Sequence, residues 1–246
     1  MIKGMIILHG VAGVGKGHVA NVVQDNLEFA KELIPDICSN NKIVIESLSL
    51  ILKRDIMHLL AIDSAEQLNK FKVNESKMFE IKHTTLYTLI EQVHGVIKNN
   101  KVMITVQRIF GHAVNGKVTM NVRVLHQRYA DLLKALTVES IFVDELLSHL
   151  ENKYNTIKET IIVIDDLRYY VESEALIQFC KQANIPCVMC NVYGNSGYNL
   201  SKHSSEFMLD KIDFDKYIYN SKEVNIPIIF NRKPSWQIEP DPNSQR

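Results

Sequence analysis

Residues 10–16, Gly-Val-Ala-Gly-Val-Gly-Lys, place glycines and a terminal lysine at a spacing suited to phosphate chemistry. Glycines let successive backbone N–H groups turn inward around phosphate oxygens, and a following helix adds the positive end of its dipole. Lys16 supplies a cation for the outer phosphates. Gly10, Val11, Ala12, Gly13, Val14, Gly15 and Lys16, with Gly17 and His18 beyond them, are therefore the candidate residues for binding ATP. The position after the lysine commonly brings a Ser or Thr hydroxyl to magnesium. Gly17 brings none, so the metal needs another protein ligand.

An acid in a suitable place follows the apolar run 160–164, which ends in Asp165-Asp166 with Arg168 two residues on. In an open α/β sheet the ligand crevice lies beyond the carboxyl ends of the strands, where such residues would meet the loop. Asp165 is the candidate magnesium ligand, and Asp166 and Arg168 are candidate substrate groups. An ordinary Asx turn at a strand end would read the same way. A further set, Lys53, Arg54, Arg123, His126 and Arg128, puts cations on or near predicted helices. Phosphoryl transfer is mostly positioning and charge neutralisation, so a kinase needs several such groups. Solvated helix charge is the alternative for each of them.

The elements that must position these residues follow from periodicity. Residues 5–9 form an apolar run that predicts a strand covered on both faces. Val19, Val22, Val23, Leu27 and Ala30 recur at helical spacing, predicting one helix that runs to Pro35. A strand at 43–45, a helix at 48–60, a capped restart at Asp63-Ser64 and a helix at 83–96 follow. Residues 102–106 and 117–122 are β-prone and separated by Gly111 and Asn115-Gly116, which predicts a hairpin-like insertion. Helices at 124–136 and 141–150, a strand at 160–164, a helix at 172–183, and strands at 186–192 and 217–219 complete the pattern. Strands alternating with helices predict an α/β fold with a parallel sheet.

The chain has 246 residues, 46% of them hydrophobic, enough for one sizeable core. Its 28 basic and 28 acidic residues cancel, so no global field draws it to extended nucleic acid or to an anionic membrane. No apolar run approaches a bilayer span and no signal-peptide pattern opens the sequence, so a soluble, cytoplasmic protein is expected. Cys38, Cys180, Cys187 and Cys190 form no CxxC pair and read as buried thiols. The polar residues 233–246 carry three prolines and are expected to form a loosely ordered tail.

These motifs together resemble the phage-type deoxynucleoside monophosphate kinases, a branch of the P-loop nucleoside monophosphate kinase fold. Residues 10–16 match the P-loop. Residues 48–53, Leu-Ser-Leu-Ile-Leu-Lys, resemble the family's Phe-Ala-x-Pro-x-Lys segment, with Ser49 and Lys53 on its Ala and Lys. The stretch 128–137 resembles the arginine helix that ends in Leu-Gly-Thr, and 164–174 the Asp-x-Arg segment with its trailing Glu-x-Glu, aligning Asp166, Arg168, Glu172 and Glu174. His203-Ser-Ser-Glu206 resembles the lid motif, and 215–220 the last strand with its Asn. Gly17-His18 stands where the family commonly has Asp-Thr, and Ile51 where it has the proline.

The resemblance spans residues 5–220 and implies a three-layer P-loop NTPase fold around a five-stranded, mainly parallel sheet. The kinase domain would cover 1–232, with a helical acceptor-binding region at 46–158 and a lid at 194–210. The implied activity is ATP- and magnesium-dependent phosphorylation of (deoxy)nucleoside 5′-monophosphates to diphosphates. Lys16, Arg128, Asp166 and Arg168 would be catalytic, and Ser49, Lys53, Arg128, Asp166, Arg168 and Glu172 would bind the substrate. A homodimer is implied, and the host cytoplasm if the chain is viral. The alternatives are a P-loop kinase of another small acceptor, such as dephospho-coenzyme A or a nucleoside, and a nucleotide-binding protein without turnover.

Overall fold

The apolar run near the N-terminus forms a strand whose last six residues are buried, as a strand covered on both faces requires. The computed structural model describes residues 1–11, 13–154, 159–194, 212–220 and 225–233. Among the described residues the order of elements is β1 (Ile2–His9), α1 (Lys16–Asp25), α2 (Leu27–Leu33), β2 (Lys42–Glu46), α3 (Leu50–Leu60), α4 (Ala65–Val73), β3 (Met78–Lys82), α5 (His83–His94), α6 (Asn100–Phe110), β4 (Lys117–Asn121), α7 (Val122–Leu136), α8 (Ile141–Tyr154), β5 (Thr160–Leu167), α9 (Tyr170–Gln182), β6 (Cys187–Gly194), β7 (Lys216–Asn220) and β8 (Ile228–Phe230). They form two compact units, one of Met1–Leu48 with Leu146–Arg246 and one of Ser49–Glu145.

The first unit is an α/β sandwich around a sheet ordered β2-β5-β1-β6-β7-β8. Every pairing is parallel except that of β7 with β8. Alternation along β1 assigns the two faces. Ile6 and Leu8 join Val19 and Val23 of α1 and Phe29 and Leu33 of α2 in one core. Met5 faces the other way, where its sulfur lies 3.7 Å from Cys180 Sγ of α9. The expected five strands become six because Ile228–Phe230 adds an antiparallel edge, a run too short for periodicity to reveal. The single helix expected up to Pro35 is two. Asn26 turns extended and its side chain accepts from Phe29 N at 3.1 Å, which starts α2.

The second unit has its own core, built on Ile56, Leu86, Ile90, Val106, Leu125, Tyr129 and Leu132. Its helix α4 begins as the Asp63-Ser64 signal predicts, with the Ser64 hydroxyl accepting from Gln67 N at 3.2 Å. The hairpin-like insertion is corrected here, because residues 102–106 lie inside helix α6. Asn99 caps that helix by accepting from Val102 N at 3.0 Å, and Val102, Thr105, Val106 and Phe110 form its buried stripe. That stripe overrides the β propensity of Val-Met-Ile-Thr-Val. The Asn115-Gly116 turn is present, with both φ values positive, but it closes only a single bridge between Val114 and Lys117. The strand partner of β4 is β3, from Met78↔Asn121 to Lys82↔Lys117.

The tail beyond residue 233 and most of the expected lid at 194–210 lie outside the described residues. Among the cysteines, Cys38 is exposed and Cys187 half-buried, which corrects the expectation of buried thiols; Cys180 and Cys190 are buried as expected. Among the described residues no helix is long and apolar enough to cross a membrane.

Candidate functional site

Neighbouring strands β1 and β5 send the chain to opposite sides of the sheet, β1 toward β2 and β5 toward β6. That divergence opens a crevice beyond their carboxyl ends, where open α/β sheets bind ligands. The turn after β1 and the acids of β5 both lie there. Gly10 has φ +150°, and a Cβ on it would overlap the Val192 carbonyl oxygen. Gly15, the α1 N-cap, is left-handed at φ +85°, and a Cβ there would overlap the Asn220 amide nitrogen. Asn220 at the end of β7 donates to Val14 O at 2.8 Å and to Gly15 O at 3.4 Å, bracing the turn from the neighbouring strand. Only glycine fits such a closely held loop. Lys16 opens α1, half-buried, and its Nζ donates to Gly10 O at 2.5 Å and Val11 O at 3.2 Å. Gly13, Gly17 and His18 are exposed, and Ala12 lies outside the described residues.

On β5 the acids are separated by a bulge. Ile7 pairs with Ile164 and His9 with Leu167, so two steps on β1 face three on β5. A bulge of this kind re-aims side chains and recurs beside functional sites. The two carboxylates beside it have different surroundings. Asp165 Oδ2 lies 3.9 Å from the point where a Cβ on Gly17 would stand. Asp166 accepts from the Ser47 hydroxyl at 2.5 Å and from Leu48 N at 2.7 Å, clamping the chain that leaves β2. Leaving those groups without their acceptor costs about 1–3 kcal/mol each when buried, so Asp166 is first of all a positioning group. Among the described residues no set of three or more His, Cys, Asp and Glu side chains could hold a metal together.

Arg168 follows, exposed, at the start of the turn into α9. Its backbone N and that of Tyr169 both donate to Glu172 Oε2, at 3.1 and 3.0 Å. Glu172 is buried and spends its charge on the α9 N-terminus, where a carboxylate is favoured. It therefore fixes the backbone that carries Arg168.

The remaining cations sit in the second unit. Lys53 is half-buried on α3, and its backbone N closes the first turn onto Ser49 O at 2.8 Å. Arg128 of α7 is half-buried and donates through Nη1 to Phe110 O at 2.9 Å. Arg123 pairs with Glu75 at 3.4 Å, and His126 is buried. Between α3, α5 and α7 lies a network that sequence patterning does not reveal. Asp55, 1% exposed, accepts from His94 Nε2 at 2.7 Å, from the Tyr129 hydroxyl at 3.1 Å and from Arg54 Nε at 3.1 Å. Burial, and then the Asp55 charge, push the Tyr129 hydroxyl above its ordinary range.

His9 was also unforeseen, because its side chain reads only as the last residue of a strand. It is buried against the Phe214 ring, with burial first and then the Lys16 and Arg168 charges pushing its pKa down to about 3. Between the ordinary 6.5 and about 3, the unfolded chain binds a proton that folded His9 refuses. Stability is accordingly complete above pH 6.5 and falls as pH drops through that window. His83, lowered by burial, adds to the same slope, whereas Glu46, lowered from 4.5, matters only below that. Urea melts at pH 7 and pH 5 are expected to show the loss, and His9→Phe to reduce it. An unchanged difference between the two pH values in that variant would show that His9 titrates normally.

No protein-family model matches the chain, and no curated protein matches it.

Proposed function

We propose that this chain is a P-loop kinase that transfers the γ-phosphate of ATP to nucleoside or deoxynucleoside 5′-monophosphates. The observation that carries the reading is the turn between β1 and α1: two glycines that tolerate no side chain, braced by Asn220, with Lys16 at the first position of the helix. Such a turn presents N–H groups and a cation to phosphate oxygens. In the proposed reaction an oxygen of the acceptor phosphate bonds to the γ-phosphorus while the bond to the β–γ bridging oxygen breaks, and ADP leaves. The acceptor phosphate has its second pKa near 6, so it is already ionised at neutral pH and needs no general base. Lys16 and the loop amides hold the donor phosphates, and Arg168, kept in place through Glu172, neutralises charge on the transferring group. Lys53 and Arg128 are assigned to the acceptor by the family resemblance, and Asp166 orients through Ser47 and Leu48.

Magnesium fits the residues present, because Asp165 offers an oxygen ligand beside the position from which a P-loop hydroxyl would project at residue 17. When bound, the cation supplies charge neutralisation on the phosphates. A homodimer and a cytoplasmic location, the host's in the case of a virus, go with this reading.

The test is ADP release measured with a panel of ribo- and deoxyribonucleoside monophosphates, with dephospho-coenzyme A and free nucleosides as rival acceptors. Turnover with one or more monophosphates is expected. Turnover only with a rival acceptor would replace the substrate class. ATP binding with no turnover on any acceptor would leave a nucleotide-binding protein, the reading that Gly17 favours.

A further inference from the structure

His9 has no task in the reaction just described, yet it occupies the position next to the loop. It ends β1, paired with Leu167 on one side and Asn191 on the other, and is 2% exposed. Its ring meets Phe214 edge-on at 5.5 Å. Neither ring nitrogen has a hydrogen-bond partner among the described residues. A buried polar group left so is unfavourable, and a phenyl ring would fill the same space against Phe214 without that penalty. Packing therefore gives no reason for an imidazole.

The loop does. The charges that act on the ring are those of Lys16 and Arg168, and Lys16 Nζ donates to the carbonyl of Gly10, the residue that follows His9. A phosphate competes with the Gly10 and Val11 carbonyls for that ammonium. Its arrival brings an anionic acceptor to the end of β1, and a neutral imidazole always keeps one N–H donor. Kept uncharged by burial and then by the Lys16 and Arg168 charges, the ring adds a donor without adding a third cation.

We propose that His9 is a positioning residue for the phosphates of a bound nucleoside triphosphate, its ring N–H gaining in the occupied loop the hydrogen bond it lacks in the loop with Lys16 docked. This rests on the reading of residues 10–16 as a nucleotide cradle. His9 thereby biases the loop toward the occupied form, since binding satisfies a group that is otherwise buried and unpaired.

The test compares the wild type with His9→Phe, His9→Leu and His9→Asn by thermal melts with and without ATP and magnesium, and by steady-state kinetics. The apolar variants are expected to melt no lower than wild type at pH 7, to show a smaller ATP-induced rise in Tm, and to raise KM for ATP about tenfold with kcat less affected. His9→Asn, which retains an N–H donor, is expected to recover part of the ATP-induced rise. His9→Leu gives the same comparison should Phe prevent folding. An apolar variant with the wild-type ATP shift and KM overturns the proposal while leaving the cradle intact. A wild-type protein with no ATP-induced shift overturns both together, and the two failures are distinguished by the wild-type melt alone.

Discussion

Lys16→Ala is expected to lower kcat/KM for phosphoryl transfer by about a thousandfold, roughly 4 kcal/mol of transition-state stabilisation. The size follows from what the residue contributes. In a reaction with little covalent chemistry for the protein to perform, a charge aimed at the phosphates is a main source of rate. The fold should barely register the change. The variant gives up the hydrogen bonds from Lys16 Nζ to Gly10 O and Val11 O, but the turn keeps the close approach of Gly10 to Val192 and the brace of Asn220 on Val14 and Gly15. The variant is therefore expected to melt within a few degrees of wild type, so that lost activity reports lost chemistry. Coupled ADP release with the best acceptor, alongside a thermal melt, measures both. Undiminished turnover in a folded variant would remove the loop from the mechanism.

The loop was legible because its chemistry and its scaffold are written in the same local residues. An apolar run, a glycine cluster and a helical stripe follow one another without interruption, and the structure turns them into β1, the tight turn and α1. The acids after 164 were legible as a strand end for the same reason. Their different surroundings were not, because these depend on which distant residues each carboxylate meets. That Asp166 accepts from Ser47 and Leu48, residues well over a hundred positions away in sequence, could not be read from its neighbours.

The same distinction explains the helices. Residues 102–106 carry β-branched side chains, and local propensity reads them as strand. Their stripe of Val102, Thr105, Val106 and Phe110 finds a core to pack on, and the tertiary gain exceeds the small propensity difference. The signal that could have corrected the reading was Asn99, a cap three residues ahead of Val102. At Asn26 the stripe of Val19, Val23 and Ala30 continues in register across a break, so periodicity alone could not show two helices. The buried Asp55 network could not be foreseen either, since His94 and Tyr129 lie 39 and 74 residues from the carboxylate they share.

Position 17 supplies the second large effect. A P-loop that lacks the usual hydroxyl must bind its cation through something else, and Asp165 Oδ2 lies 3.9 Å from where a Cβ on Gly17 would stand. Asp165→Asn keeps the shape and removes the charge. It is expected to reduce turnover about a hundredfold at limiting magnesium and to raise the magnesium concentration needed for half-maximal rate. Gly17→Ser tests the same point in reverse. A Cβ at residue 17 meets nothing closer than Asp165 Oδ2 at 3.9 Å, ordinary contact, so the serine fits. Its hydroxyl would stand beside the carboxylate as a second oxygen ligand, and the half-saturating magnesium concentration is expected to fall. Combining the two changes should return part of the lost affinity, because the hydroxyl added at residue 17 stands in for the charged ligand that Asp165→Asn removes. Rate measurements across a magnesium titration separate these outcomes. If Asp165→Asn leaves the magnesium dependence where it was, the carboxylate is not the ligand.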